Sequence, residues 1–323
     1  MPVQSSSLEL AAKYLYRYGG LILVVFGNVG CFLNIMVFSR KALRKNPCSI
    51  YYIAVNIFDF LFINSLLLFT TLETGFDIYI TTKNIVVCRL CYYTSLYSNV
   101  LSSFCLISAS IDRVLVTSSN VLTRQRSTVR LTYLCIISGT IFWMLFHSPA
   151  LAFTNILQFE ENVDTCFYQP GFYLTFISYY SIVKESSSIL LLLIFGVWTI
   201  KNIQRLHRIK ISITGTSSGT VRVGRSHIVR SKDRQLVFIV LKDIIFYAIF
   251  CSTAAIFLTE QQITQYQNKT VEQAKFDIFL KQVTIFCLHI PFTTGCYTNL
   301  FVSKAYRNTI KHIFSWNRIF PCH

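Results

Sequence analysis

The stretch Val86–Val116, VVCRLCYYTSLYSNVLSSFCLISASIDRVLV, decides the fold of this protein. Its only charged side chains are Arg89 near the beginning and Asp112 and Arg113 near the end. The apolar part between them is long enough to cross a bilayer, for which a helix needs about 20 residues. The stretch therefore predicts a membrane-spanning helix with charged groups at both ends.

Six further apolar stretches have a comparable length. Because a bilayer offers no hydrogen-bond partners to the backbone, and because none shows the ten-residue alternation of a β-barrel strand, all should be helices. We predict an all-α membrane protein, a seven-transmembrane helix bundle, whose other spans lie near Gly19–Ser39, Ile50–Leu72, Leu131–Thr154, Phe172–Ile200, Asp233–Thr259 and Asp277–Phe301.

Three regions follow from these spans: an extracellular N-terminus at 1–18, the transmembrane domain at 19–301, and a cytoplasmic amphipathic helix with the tail at 302–323. Ser303–Trp316 places apolar side chains on one face and basic ones on another, which is typical of a helix lying on a membrane surface. No removable signal peptide is evident before the first span.

Composition supports the membrane as solvent. The chain has 323 residues, of which 53% are hydrophobic and 14% charged, and its formal net charge of +16 lies in clusters between the apolar stretches. A nucleic-acid binder would not separate its basic clusters in this way. Most of the eleven cysteines lie inside apolar stretches, where cysteine acts as a small hydrophobe, so we expect no metal site and no cofactor.

The distribution of lysine and arginine predicts the orientation. They concentrate in the first, third and fifth connections and in the tail, with nine between Lys201 and Arg234, so that side should be cytoplasmic. The N-terminus is then outside. The glycosylation triplet Asn268-Lys269-Thr270 lies in the third outer loop, which agrees with this orientation.

Several motifs occur at characteristic spacing. Ile111-Asp112-Arg113-Val114 lies at the inner end of the third span, twenty-four residues after Cys88. Asn56-Ile57-Phe58-Asp59 lies in the second span, Lys232–Leu236 opens the sixth, and Tyr306-Arg307 follows the seventh. From about residue 19 to 315 the chain resembles a divergent rhodopsin-like (class A) G-protein-coupled receptor.

That resemblance implies roles for particular residues. It pairs Cys88 with Cys166 in a disulfide, although two free thiols or pairing with Cys91 stay possible. It makes Asp112, Arg113 and Asp233 an inner lock that opens for a G protein. Asp59 becomes the intramembrane carboxylate, and Cys322 is a candidate for palmitoylation.

The chain also departs from the pattern. Cys31 takes the place of the first-span asparagine, Gly295-Cys296-Tyr297-Thr298-Asn299 replaces Asn-Pro-x-x-Tyr, and Cys251-Ser252-Thr253 replaces the sixth-span aromatic-x-proline hinge. We therefore expect Asp59 to depend on nearby polar groups such as Ser103, Asn299 or water, or else to hold a proton, and sodium to bind weakly.

The resemblance implies an extracellular ligand, and no aspartate in the third span is placed to bind an amine, so a peptide is favoured. Lys242-Asp243 should pair inside the bundle, and Lys184-Glu185 could form an ion pair without ligand. Charged and polar groups at membrane depth normally face the bundle interior. The residues expected to line the ligand cavity are Glu73, Lys184, Glu185, Glu260, Lys281, Gln282 and His289.

Other functions stay open. The chain could be a seven-helix protein with weak or no G-protein coupling, or a small-molecule transporter, although no repeat of the transporter type is visible. A light sensor would need a lysine where His289 stands, since Lys281 lies near the outer end of its span. No motif of an enzyme is present. We expect a plasma-membrane receptor without catalytic activity of its own.

Overall fold

The computed structural model describes residues 7–41, 43–160, 163–214, 224–264 and 270–319. The helical residues 206–214 and 224–234 are described by their backbone alone, without their side chains. The glycosylation triplet at Asn268 and the palmitoylation candidate Cys322 lie outside the described residues.

Among these described residues, seven helices are long and apolar enough to cross a membrane, with mean hydropathies from 1.2 to 2.3. This confirms the predicted seven-helix bundle. We label the helices α1 to α7 and the helix after them α8. Their bounds are Ser7–Phe38, Pro47–Gly75, Ile85–Thr117, Val129–Phe153, Phe172–Thr214, Gly224–Thr264, Val271–Val302 and Lys304–Ile319.

The helices form a ring around α3. Helix α1 packs against α2 and α7, α6 packs between α5 and α7, and α3 contacts α2, α4, α5 and α6. Of the 18 most apolar consecutive residues in each helix, 67% are buried in α3 but only 11% in α4. Helix α3 is therefore the centre of the bundle, whereas α4 presents most of its surface outward.

Side-chain caps fix where several helices begin. Asn46 accepts a hydrogen bond from the backbone of Cys48 before Pro47 opens α2, and Asn84 and Thr128 cap α3 and α4 in the same way. Thr270 and Gln273 form a reciprocal capping box at α7. These caps satisfy backbone N–H groups that have no partner inside a helix.

The first helix is longer than predicted. It begins at Ser7 rather than near Gly19, so the predicted N-terminal region is largely helical and continuous with the span. Its cations have partners: Lys13 pairs with Asp77, and Arg17 donates to the Gly75 carbonyl over 2.9 Å. The apolar stretch in the sequence begins after these charged residues, whereas the helix includes them.

Two short strands were not predicted. Strand β1, Thr154–Glu160, pairs antiparallel with β2, Val163–Tyr168, and Ile156 stands opposite Cys166. This hairpin lies between α4 and α5, in the segment predicted to be the second outer loop.

Helix α8 confirms the predicted amphipathic helix and adds contacts to it. Tyr306 is buried in the hydrophobic core of the bundle, and Ile310 and Ile313 pack against that core. Part of the apolar face therefore packs on the bundle itself.

Candidate functional site

A disulfide marks one end of the bundle. It joins Cys88 at the start of α3 to Cys166 in β2, with Cα atoms 5.8 Å apart, which is the pair that the resemblance implies. Cys91 is a free thiol. The Tyr92 hydroxyl donates to the Cys166 carbonyl over 2.9 Å and holds the hairpin over α3. We call this the disulfide end, and the opposite end the Arg113 end.

Tyr168 of the hairpin is buried against aromatic rings. Its ring lies 5.0 Å from that of Tyr92 and 5.7 Å from that of Tyr173. Burial, followed by the nearby Tyr92 and Tyr173 phenols, raises the pKa of Tyr168 well above its ordinary value. The hairpin is thus closed onto the bundle by neutral aromatic contacts.

Arg113 is completely buried at the end of α3. Its Nη2 donates to Asp112 Oδ2 over 2.5 Å and to Asn46 Oδ1 over 2.9 Å. Asn46 is also the cap of α2, so the guanidinium is held against the beginning of that helix. Asp112 accepts a further hydrogen bond from the Ser127 hydroxyl. Asp233 lies in α6, but its side chain is outside those described.

Lys242 and Asp243 form an ion pair in the middle of the bundle, as predicted, with Nζ and Oδ1 2.6 Å apart. The Lys242 ammonium also donates to Thr298 Oγ1 over 2.6 Å and to Asn299 Oδ1 over 2.8 Å, both on α7. Asp243 accepts from the Tyr52 hydroxyl of α2 over 2.6 Å. One ion pair thus connects α2, α6 and α7.

Asp59 does not have the expected partner. It accepts from the Ser102 hydroxyl, whereas Ser103 bonds to the Tyr247 hydroxyl over 2.8 Å. Adjacent residues on a helix point about 100° apart, so Ser102 faces α2 and Ser103 faces α6. Asn299 is engaged by Lys242 instead.

Asn34 is a central residue that the sequence interpretation missed. Its Nδ2 donates to Asn56 Oδ1 over 2.7 Å, and its Oδ1 accepts from the Tyr306 hydroxyl over 2.5 Å. Asn299 donates to the same oxygen over 3.4 Å. It lies three residues beyond Cys31, the position that the resemblance had indicated. The signal available in the sequence was an amide inside an apolar span.

These groups surround a small cavity of about 40 Å³. A water needs about 10 to 15 Å³ of such space, so two or three waters fit. We call the polar groups around this space the central polar cluster, consisting of Asn34, Tyr52, Asn56, Asp59, Ser102, Lys242, Asp243, Thr298 and Asn299.

A second buried group lies nearer the disulfide end. Lys184 and Glu185 are 2.6 Å apart, and Lys184 also donates to Asn99 over 2.9 Å. The Tyr247 hydroxyl donates to Glu185 over 3.1 Å. This confirms the interpretation of Lys184-Glu185 as an ion pair, which links α3, α5 and α6.

The other predicted ligand residues have several different partners. Glu73 accepts from the Thr81 hydroxyl, and the Lys281 ammonium lies 5.1 Å from the centre of the Phe167 ring. His289 is fully buried, and its ring stacks on that of Phe62 with centroids 4.8 Å apart. Glu260 is exposed near the end of α6. Gln282 is half-buried, and its backbone carbonyl accepts a hydrogen bond from the Tyr16 hydroxyl.

The geometry is that of polar groups connected to one another inside the bundle. The ion pairs are Asp112–Arg113, Lys184–Glu185 and Lys242–Asp243. Hydrogen bonds from these pairs connect α2, α3, α5, α6 and α7. Such contacts are either made or broken, which suits a bundle with two discrete arrangements. No family model matches this sequence, and no curated protein matches it either.

Proposed function

We propose that this protein is a ligand-activated receptor of the rhodopsin-like G-protein-coupled class. A ligand binds at the disulfide end, and the bundle transmits this event to a heterotrimeric G protein at the Arg113 end. The observation that carries the proposal is the buried Asp112–Arg113 pair at one end of α3, together with the disulfide of Cys88 at the other.

The contacts of Arg113 support a closed state. A buried guanidinium needs compensating acceptors, and Asp112 and Asn46 supply them on α3 and α2. When the helix ends move apart, the contact with Asn46 is lost, and rotation of the Arg113 side chain away from Asp112 makes the cation available to a partner. A ligand drives this change only by the difference between its affinities for the two states.

The proposal includes an orientation and a location. Lysine and arginine concentrate on the side of the Arg113 end, which supports placing that end in the cytoplasm of a plasma-membrane receptor.

A peptide ligand agrees with the residues at the disulfide end. One and two turns after Cys88, α3 carries Tyr92, Tyr93 and Leu96, without a carboxylate for an amine. Lys281 beside Phe167 offers a cation next to an aromatic surface on the hairpin. Aromatic and cationic side chains together suit the backbone carbonyls and acidic groups of a peptide.

The test is a panel of neuropeptides applied to cells that express the protein, with second messengers as the readout. An active peptide should lose its response when Arg113 is replaced by alanine, while the exposed Arg126→Ala keeps the response. Surface expression is measured for each variant. A full response from Arg113→Ala at equal surface level contradicts the proposed coupling.

A transporter is the second candidate, because ion pairs within membrane spans are typical of ion and substrate pathways. Lys242–Asp243 and Lys184–Glu185 are such pairs. A transporter would give substrate-dependent flux in the same cells without any change in second messengers. Flux that is lost in Lys242→Met and unaffected by Arg113→Ala favours this function over the receptor.

A further inference from the structure

Ser127 connects the loop before α4 to the buried ion pair of α3. Its hydroxyl donates to Asp112 Oδ1, while Asp112 Oδ2 accepts from Arg113. Ser127 is half-buried and lies between the short helix Val121–Gln125 and Thr128, the cap of α4. A single hydroxyl therefore supports the carboxylate that holds Arg113.

The residues before Ser127 are typical of a protein-kinase substrate. The sequence is Arg124-Gln125-Arg126-Ser127, and both arginines are exposed. No acidic residue occurs between Asp112 and Glu160. A kinase with an acidic substrate cleft binds such arginine side chains through charge-assisted hydrogen bonds, and Arg124 stands three residues before the Ser127 hydroxyl.

We propose that Ser127 is phosphorylated by an arginine-directed protein kinase and that the phosphate opens the Arg113 end. The inference rests on the proposed receptor function, because that function places this loop in the cytoplasm with ATP. Ser127 Oγ bonds to the γ-phosphorus of ATP, and the bond from that phosphorus to the bridging oxygen of ADP breaks. ADP leaves, and the hydroxyl proton passes to the base of the kinase.

Phosphorylation removes the hydrogen-bond donor that Ser127 offers to Asp112. The neutral donor becomes a group with a charge of about −1.5 to −2 that only accepts hydrogen bonds. It stands next to a carboxylate, and like charges repel at this distance. The phosphate also competes with Asp112 for Arg113, and the backbone amides at the start of α4 offer it another position. The closed arrangement of Asp112, Arg113 and Asn46 is thereby weakened.

The first test uses the purified full-length protein in lipid nanodiscs. The catalytic subunit of cyclic-AMP-dependent protein kinase is added with Mg-ATP, and phosphorylated sites are mapped by mass spectrometry. We expect phosphate on Ser127, complete loss of this signal in Ser127→Ala, and a severalfold slower reaction in Arg124→Ala. Thr128→Ala is the matched control and keeps the signal. Absence of phosphate on Ser127 overturns the inference.

The second test asks whether the phosphate opens the Arg113 end. Leu236 on α6 is 4% exposed, so Leu236→Cys introduces a thiol that is hidden in the closed state. Its labelling by a maleimide is followed at the peptide level, separately from the native cysteines. We expect phosphorylation to raise the labelling rate severalfold, and Ser127→Ala to raise it less because no charge is added. An unchanged rate after phosphorylation overturns the inference.

Neither measurement needs a G protein or a ligand. Phosphorylation with opening, but with no nucleotide exchange on any G protein, would support this inference and contradict the receptor function. Peptide-driven exchange in a protein that is not phosphorylated at Ser127 would do the reverse.

Discussion

Lys242 has a demanding position, because an ammonium inside a membrane span is costly unless it is paired. Four oxygens compensate it: those of Asp243, Thr298 and Asn299, and the Gly295 carbonyl at 3.3 Å. Three of these four belong to α7. The lysine therefore serves as a connection between α6 and α7 as well as the counter-ion of Asp243.

Removing the ammonium should destabilise the protein strongly. Lys242→Met leaves the partly buried Asp243 carboxylate without its cation, and for a fully buried pair such a change costs up to about 3 to 5 kcal/mol. We expect this loss in the free energy of unfolding, measured by titration with SDS in mixed micelles. The exposed Lys304→Met is the matched control and should have almost no effect.

A second variant separates lost pairing from lost packing. Asp243→Asn removes the carboxylate charge but still accepts from the Tyr52 hydroxyl. Lys242→Met with Asp243→Asn should therefore recover most of the stability lost in Lys242→Met alone. If the double variant is as unstable as the single one, the charge of Asp243 is not the cause.

At the scale of single residues, the sequence predicts pairs that are adjacent in the chain. It misses contacts that depend on which side of a helix faces its neighbour. Lys242-Asp243 and Lys184-Glu185 were found because each pair is consecutive. Ser103 was expected in place of Ser102, since an error of one residue turns a side chain by about 100°. Asn34 was missed because the motif alignment pointed to Cys31, on the preceding turn of α1.

At the scale of elements, α1 and α2 approach each other closely at the disulfide end. Both helices are π-helical there, over Leu15–Gly20 and Thr71–Gly75. A Cβ atom on Gly75 would lie 2.8 Å from the backbone nitrogen of Arg17 and 3.0 Å from its Cα. The backbone of α1 cannot move aside as a side-chain end could. Gly75 thus sets the distance between the two helices.

Gly75→Ala should therefore force α1 away from α2. Overpacking of this kind costs about 1 to 3 kcal/mol, and we expect that loss in the free energy of unfolding. Gly295→Ala is the matched control, because its Cβ would meet only Asn34 Nδ2 at 3.8 Å, an ordinary contact. Equal stability of the Gly75→Ala variant and the parent protein would show that α1 is free to shift.

The sequence predicted the number and type of the spanning helices, because hydropathy over about 20 residues is a strong signal. The first helix extends beyond the predicted span, because Lys13 and Arg17 interrupt the apolar pattern but have partners in Asp77 and in the Gly75 carbonyl at the end of α2. The β1–β2 hairpin gave no comparable signal. Short strands depend on pairing with each other, which hydropathy does not measure.

For the whole molecule, the disulfide restricts the unfolded chain across a sequence separation of 78 residues. Cys166→Ser should lower stability by about 2 to 4 kcal/mol and release the hairpin from α3. Limited proteolysis of the hairpin and thermal unfolding measure the two effects. Cys91→Ser is the matched control, since this thiol is free and one turn away. Equal protease resistance in both variants would contradict a closing role for the bridge.

The proposed lock at the Arg113 end depends on Asp233 of α6. If Asp233 reaches Arg113 in the closed state, loss of its charge removes an interaction worth about 1 kcal/mol and shifts the two-state population about fivefold. We expect Asp233→Ala to raise basal nucleotide exchange by that factor. Asp164→Ala, which removes an exposed acid at the disulfide end, is the control. Unchanged basal exchange at equal surface level means that the lock does not operate.

Sodium should have no specific effect on this bundle. The resemblance to rhodopsin-like receptors implies a sodium or water link through Asp59, but here the Lys242 ammonium already occupies the oxygens of Thr298 and Asn299. Asp59 accepts a hydrogen bond from the Ser102 hydroxyl. The polar lining of the cavity of about 40 Å³ consists of the Asp59 and Asp243 carboxylates and of amides and hydroxyls, and Asp243 is already paired with Lys242. A mobile cation would have to compete with one that is covalently attached.

The melting temperature of the purified protein measures this without any ligand. Wild type should melt at the same temperature in NaCl and in KCl at equal ionic strength, because general screening depends on ionic strength alone. Lys242→Gln removes the attached cation, so it should melt higher in NaCl than in KCl. Adding Asp59→Asn to that variant should abolish the difference. A sodium-specific rise in wild type that disappears in Asp59→Asn would show that Lys242 does not replace the ion.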